Sequence, residues 1–423
     1  MRFFAYGICI LMLLAGCNVL KQKKSSDPTT PEKQKPAENS SSSDIQGHIV
    51  GDWELLNTEL TDAAGNAPEM HALWTGEKAL FYGDFGNQRS GIRDHLGVIF
   101  DPKTKTWQAI THASDVFVSS VTWTRSQMFV WGNNAKENIG ALFDPTTNSW
   151  KKVSTFSPPP LWDNHTAVWT GSDVIIWGGH DGYKYLDSGA IYNPANDSWK
   201  TCSSQNAPTA RYSHTAIWTG EEMIIWGGLN SKTAENTGAR YNPSKNTWTS
   251  ISTENAPSPR YDHVSYWTGK KMLIWGGSGP KKESTSPLDL MFLFDGGLYD
   301  PKTDTWETIP SPTGFQARNN YGTAFGNSHL FVWGGHPAHE NSLVETVSDF
   351  LDSGAVLNID SGVWKALPTT NAPKPRAAPL LLWVDNALLV WGGYNGYDEK
   401  KEDGVTTSWE RKMSSGGIFR ISE

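Results

Sequence analysis

His214-Thr215-Ala216-Ile217-Trp218-Thr219-Gly220-Glu221-Glu222-Met223-Ile224-Ile225-Trp226-Gly227-Gly228 reads as two strands joined by a turn, and its recurrence along the chain decides the fold. The first strand ends in Trp218. Thr219-Gly220-Glu221 is a tight turn. Met223 to Trp226 is apolar at every position, the pattern of a strand buried on both faces. Gly227-Gly228 then supplies backbone freedom where the chain must leave the sheet sharply.

Ile225-Trp226-Gly227-Gly228 has counterparts on both sides. Ile176-Trp177-Gly178-Gly179, Ile274-Trp275-Gly276-Gly277, Val332-Trp333-Gly334-Gly335 and Val390-Trp391-Gly392-Gly393 repeat it, and Phe81-Tyr82-Gly83-Asp84 and Val130-Trp131-Gly132-Asn133 are degenerate copies. A second element follows each copy. It runs from Gly97 to Pro102, Gly140 to Pro145, Gly189 to Pro194, Gly238 to Pro243 and Gly297 to Pro301, then returns without its proline at Gly354 and Gly417. Six units close on a tryptophan: Trp107, Trp150, Trp199, Trp248, Trp306 and Trp364. Elements in fixed order at a fixed period mean one supersecondary unit per repeat, stacked so that neighbours bury each other's faces. Each unit reads as four short strands, and radial packing shields their edges.

The last unit ends at Ile421 after its third strand and has no closing tryptophan. Asp52-Trp53-Glu54-Leu55-Leu56 precedes the first unit and reads as a spare fourth strand. The expectation is that this N-terminal strand completes the last blade and shuts the ring. Six blades is the competing count, because the first two units are degenerate. Seven leaves no element over.

The paired glycines, the Tyr-Asp-Pro turn and the spaced tryptophans resemble the Kelch repeat, from about residue 48 to 423. The resemblance implies an all-β, seven-bladed Kelch-type β-propeller over residues 47–423. It also implies a non-catalytic binding platform, since most Kelch propellers are that, with a protein or an envelope or extracellular glycan as the expected ligand. Bacterial relatives of this architecture include sialic acid mutarotases, which makes a sugar-active enzyme the alternative.

The N-terminus carries an address. Met1-Arg2 precedes an apolar run from Phe3 to Leu14, about the length of a signal-peptide core and short for a membrane span. Leu14-Ala15-Gly16-Cys17 resembles the lipobox of bacterial lipoproteins. It implies a signal peptide over 1–16, cleavage before Cys17 and diacylglycerol or palmitate on that sulfur. Asn18, where an inner-membrane lipoprotein would carry Asp, implies the outer membrane. Residues 17–46, with the Lys21-Gln22-Lys23-Lys24 run, three prolines and Ser40 to Ser43, read as the lipidated residue and a flexible tether.

A net charge of −8 argues against a nucleic-acid surface. Of three cysteines, Cys9 falls in the signal peptide and Cys17 takes the lipid, so Cys202 has no disulfide partner and reads as a packed small side chain. A monomer is expected, and no cofactor or metal motif is present. Copper-radical oxidases built on this fold need a cysteine beside a tyrosine near the channel, and Cys202 falls in an outer strand.

Strand order puts the loops entering the first strand and leaving the second on one face, and the short turns on the other. The first-face loops vary, and binding residues concentrate on such loops. Seven residues before the last aromatic residue of the first strand, four consecutive units carry arginine: Arg211, Arg260, Arg318 and Arg376. Trp162 holds that position in the third unit. One reading is an arc of guanidinium groups at the channel mouth, suited to carboxylate or phosphate. The other is that the arginine packs within the repeat. Tyr212 and Tyr261 follow two of the arginines and could stack on sugars or aromatics. His165, His214 and His263 share a register that reads as core hydrogen bonding rather than metal ligation. The longest loops contain Lys281-Lys282-Glu283, His336-Pro337-Ala338-His339-Glu340 and Tyr394 to Glu399. Glu340 and Asp398 are loop carboxylates without an evident acid–base partner.

Overall fold

A computed structural model describes residues 43–57, 69–86, 93–111, 117–133, 138–155, 163–281, 290–337, 350–402 and 405–422. The architecture is an all-β, seven-bladed propeller. Blade 1 comprises Glu69–Trp74, Ala79–Gly86, Arg93–Asp101 and Thr106–Ala109. Blade 2 comprises Phe117–Trp123, Met128–Asn133, Asn138–Asp144 and Ser149–Lys152. Blades 3, 4 and 5 begin at Thr166, Thr215 and Val264, and each is a four-stranded antiparallel sheet paired in sequence order. Blade 6 is built on Gly322–Gly326, His329–Trp333, Gly354–Asn358 and Val363–Ala366.

Blade 7 is the composite. Leu380–Val384, Ala387–Trp391 and Ser415–Ile421 come from the C-terminal end of the chain, and Gly51–Asn57 supplies the fourth strand. The N-terminal strand pairs antiparallel with the C-terminal one over its whole length, with Trp53 opposite Phe419. The expected closure is therefore present, and the count is seven rather than six.

One pairing was not legible. Ser43–His48 adds to the outer edge of blade 6, parallel to Val363–Ala366, with Ile45 opposite Trp364. This strand starts within the segment read as tether. Two successive N-terminal strands thus lie on two neighbouring blades.

The second strands form the interior. Val174–Trp177, Met223–Trp226, Met272–Trp275 and Ala387–Trp391 are buried at every position. Their faces meet those of the adjacent blades, so each hydrophobic cluster draws on neighbouring blades rather than on one. Tryptophan pairs recur across the joints. Trp177 meets Trp248 at 5.6 Å, Trp226 meets Trp306 at 5.4 Å, Trp275 meets Trp364 at 5.0 Å, and Trp391 meets Trp107 at 4.1 Å. A buried aromatic of this size contributes several kcal/mol, roughly its area at 25 cal/mol per Å².

The outer turns fasten the joints from the other side. Asp197, Asn246 and Asp304 hold left-handed φ values of 52°, 53° and 55°. Each accepts a tyrosine hydroxyl from its own blade, as Asn246 does from Tyr241 at 2.6 Å. Each also accepts a backbone N–H from the blade before, as Asn246 does from Ser203 at 2.7 Å. Asn and Asp tolerate this backbone conformation and offer a side-chain acceptor, which is why they recur there.

Candidate binding face

The loops expected on one face are joined to one another. Tyr212 pairs with Leu229, Tyr261 with Ser278, Asn319 with His336 and Ala377 with Tyr394, so each entering segment touches the segment leaving the second strand of the same blade. Two residues after each repeat arginine, and at the matching position of blade 3, the chain turns left-handed. Asn164, Ser213, Asp262, Asn320 and Ala378 have φ between 46° and 53°. Asp262 N–H donates to Ser213 O at 3.2 Å, and Ala378 N–H to Asn320 O at 2.6 Å. Backbones of neighbouring blades touch here, as they must where blades converge on the axis. Asp262 keeps solvent contact at this opening while protein surrounds it, and the lost hydration holds its carboxyl up to about 6 against a bond from Ser213. This ring of left-handed residues was missed in the sequence. Its signal was a run of Asn, Ser and Asp at a fixed offset from the arginine.

The arginine arc is corrected. Arg211, Arg260, Arg318 and Arg376 do share one position, but they are 0–1% exposed. Arg260 Nε donates to Ser258 O, Nη1 to Gly276 O and Asp295 O, and Nη2 to Ser258 Oγ and Asp295 Oδ1, all between 2.8 and 3.0 Å. Arg211 repeats the arrangement on Thr209, Gly227 and Thr237. Arg318 and Arg376 do so on Gln316, Gly334 and Ser353, and on Lys374, Gly392 and Ser415. The guanidinium is a clamp. It holds the carbonyl of the first paired glycine, where the chain leaves the sheet, and adds a second donor to the carbonyl at the start of the third strand, which already accepts that glycine's N–H. A group so enclosed cannot meet a sugar carboxylate, and the acidic-sugar reading loses the residues it rested on. Burial draws Arg318 down to about 9 and Arg211 and Arg376 to about 10, all still charged at neutral pH.

The clamp also links blades. Gly228 N–H donates to Arg260 O at 2.8 Å, so the second glycine of blade 4 holds the arginine of blade 5. The first glycine explains itself as well. Gly227 has φ +69°, and a Cβ there would lie 2.5 Å from His263 Cε1.

The histidines are joint residues. His165, His214 and His263 are buried, and their Nε2 atoms hydrogen-bond Ser120 Oγ, Thr166 Oγ1 and Thr215 Oγ1 of the preceding blade at 2.7 to 2.9 Å. Burial, with the nearby Arg211 charge adding for His214, drives His165 and His214 down to about 3 and His263 well below its ordinary range. Among the described residues no group of three or more His, Cys, Asp or Glu is placed to hold a metal.

The remaining sequence candidates divide. Tyr261 is buried, and burial raises its hydroxyl to about 12. Tyr212 is half-buried and stacks on Tyr185 at 4.8 Å. Trp162, His339 and Glu340 lie outside the described residues. His336 is buried against Phe350 at 4.6 Å and Tyr394 at 5.8 Å. Tyr394 to Glu399, read as a loop, is the first arm of a hairpin, Tyr394–Glu402 against Val405–Lys412. Cys202 is packed beside Tyr241 just past its outer strand, and burial raises the thiol to about 12.

With this geometry in place, comparison with known protein families gives the class. The chain matches the KLHDC2/KLHL20/DRC7 Kelch-repeats domain over residues 70–277 and 165–393, more than half its length. It belongs to the Kelch-repeat family. No curated protein matches it.

Proposed function

We propose that the protein is a non-catalytic binding module that recognises a protein partner through the loop face of its propeller, held at a bacterial cell envelope by lipid on Cys17. The contrast between the two faces carries the reading. On the turn face the connections are short and satisfy themselves: Thr219 Oγ1 accepts the Glu222 N–H at 2.9 Å, and Thr170 and Thr268 do the same for Asp173 and Lys271. On the opposite face the connections differ in length and content from blade to blade, over a scaffold fixed by the arginine clamps. Variable loops on a rigid frame suit recognition. Kelch propellers commonly bind proteins, which favours a protein over a glycan.

Binding of the full chain to panels of envelope proteins and glycans tests this. The expected result is a protein ligand whose affinity falls on substitution at Tyr212 and stays unchanged on substitution at Lys245 in the turn face. Sensitivity confined to the turn face would overturn the reading. The lipid is tested separately by metabolic labelling with palmitate. Label on the parent chain and none on Cys17→Ser is expected, and equal labelling of both would remove the anchor.

A further inference from the structure

Blade 3 builds a rigid turn between its second and third strands and places an aromatic side chain at the tip. Asp181 Oδ1 accepts the Tyr183 and Lys184 amides at 3.0 and 2.9 Å, and Gly182 takes φ +88°. Tyr183 is 97% exposed. Blade 4 repeats the side-chain hydrogen bonds of this turn without its positive-φ residue, with Asn230 Oδ1 accepting the Lys232 and Thr233 amides at 2.7 and 2.8 Å. Its tip is Ser231-Lys232. The turn therefore does not require an aromatic, and the fold does not account for Tyr183.

Flanking Tyr183 along the chain, His180 and Tyr185 belong to an aromatic cluster shared by two blades. Tyr185 of blade 3 stacks on Tyr212 of blade 4 at 4.8 Å and 23°. His180 meets Tyr212 edge-on at 6.0 Å and 86°. His180 is bridged through its backbone to Tyr185 and to Asp163, and its Nε2 lies 4.0 Å from Asp163 Oδ2. The surrounding segment carries Asp163, Asp181 and Asp187 against Lys184, a net negative rim. Asp187 is exposed and Asp163 and Asp181 are half-exposed.

We propose that Tyr183, Tyr185 and Tyr212, with Asp163 and His180, seat an arginine or lysine side chain of the protein partner. This rests on the binding-module reading and names the chemistry its partner must present. Ring faces carry negative charge density and attract cations, guanidinium groups above all, because they also stack. The carboxylates favour the same sign. An anionic group would meet the rim's negative charge, and a neutral sugar would leave that charge unused. Stiff aromatic side chains on an ordered turn lose little entropy on contact, which is the property of interface anchors.

Selection of a random-sequence displayed peptide library on the full chain tests this. Enriched peptides are expected to contain arginine or lysine. Replacing that residue by glutamine, or making Tyr183→Ala or Tyr212→Ala, should weaken binding about ten-fold. Asp163→Asn should weaken it in the same direction. Tyr183→Ala is the decisive variant, because a side chain so exposed can be removed without altering the melting profile. Enriched peptides without basic residues, or basic peptides that bind Tyr183→Ala as tightly as the parent, overturn this proposal and leave the binding-module reading standing. A glycan whose binding is lost in Tyr183→Ala also overturns it, in favour of a carbohydrate seat. Failure of every peptide, protein and glycan to bind would instead sink the binding-module reading itself.

Discussion

Trp53 lies 6.0 Å from Trp333 across the joint between blades 6 and 7, and its indole N–H donates to Pro368 O at 2.7 Å. Elsewhere that place belongs to a tryptophan of the repeat. Trp248 faces Trp177 and donates to Ser203 O at 2.8 Å, and Trp306 faces Trp226 and donates to Ser252 O at 2.8 Å. A residue outside the first unit thus occupies the repeat's own position and makes the repeat's own contacts.

Loss of that residue should be felt by the whole ring. Trp53→Ala removes a nearly buried indole and its hydrogen bond, and should cost about 3–5 kcal/mol in denaturant unfolding. Deletion of residues 1–42 should leave the unfolding curve unchanged, whereas deletion of 1–57 should lower its midpoint sharply. A midpoint that ignores the second deletion contradicts closure by this strand.

The arginine clamps lead to a stability effect where a ligand arc would give none. Arg260→Ala leaves the carbonyls of Ser258 and Gly276 without the guanidinium donor, takes one of two donors from Asp295 O, and should cost about 3–5 kcal/mol. Arg260→Lys should not rescue it, because an ammonium lacks the planar fork that reaches all of these acceptors. Thermal melts of the two variants check this.

Three buried neutral histidines make stability fall in acid. Folded, His165 and His214 titrate near 3 and His263 well below its ordinary range; unfolded, each titrates near 6.5. Between these values the unfolded chain binds more protons, so their contribution is complete above about pH 6.5 and is lost as pH falls toward 3. Each adds a slope of about 1 kcal/mol per pH unit in that window. Unfolding midpoints from pH 7 to pH 4 measure it, and the slope should flatten in a His214→Gln variant that keeps a donor for Thr166.

Cys202 should be silent in the folded protein. Burial raises its thiol to about 12, and a thiolate is required for reaction. A thiol reagent at pH 8 should label it only at the rate of unfolding, and labelling within the mixing time would contradict the packing.

The architecture was legible because it is written repeatedly. Paired glycines, turn prolines and closing tryptophans each answer a backbone or packing need, and Trp53 could be seen as the missing member of its series. The arginines show the limit. Their register was plain, but register gives a position and not a direction, and a guanidinium that completes orphan carbonyls looks in sequence like one that waits for a ligand. The strand Ser43–His48 was hidden for another reason: its polar composition is that of a linker, and parallel pairing to an exposed edge needs only backbone. Tyr183 was invisible as a candidate because its exposure depends on a turn set by Asp181 and Gly182.

Amide hydrogen exchange of the segment Gly51–Asn57 tests the closed ring most directly. The amides of this edge strand that donate to Ser415–Ile421 should exchange as slowly as those of the buried strand Ala387–Trp391, because opening them requires opening blade 7. Exchange of Gly51–Asn57 on the timescale of free peptide, while Ala387–Trp391 stays protected, would show a propeller that holds together without its N-terminal strand.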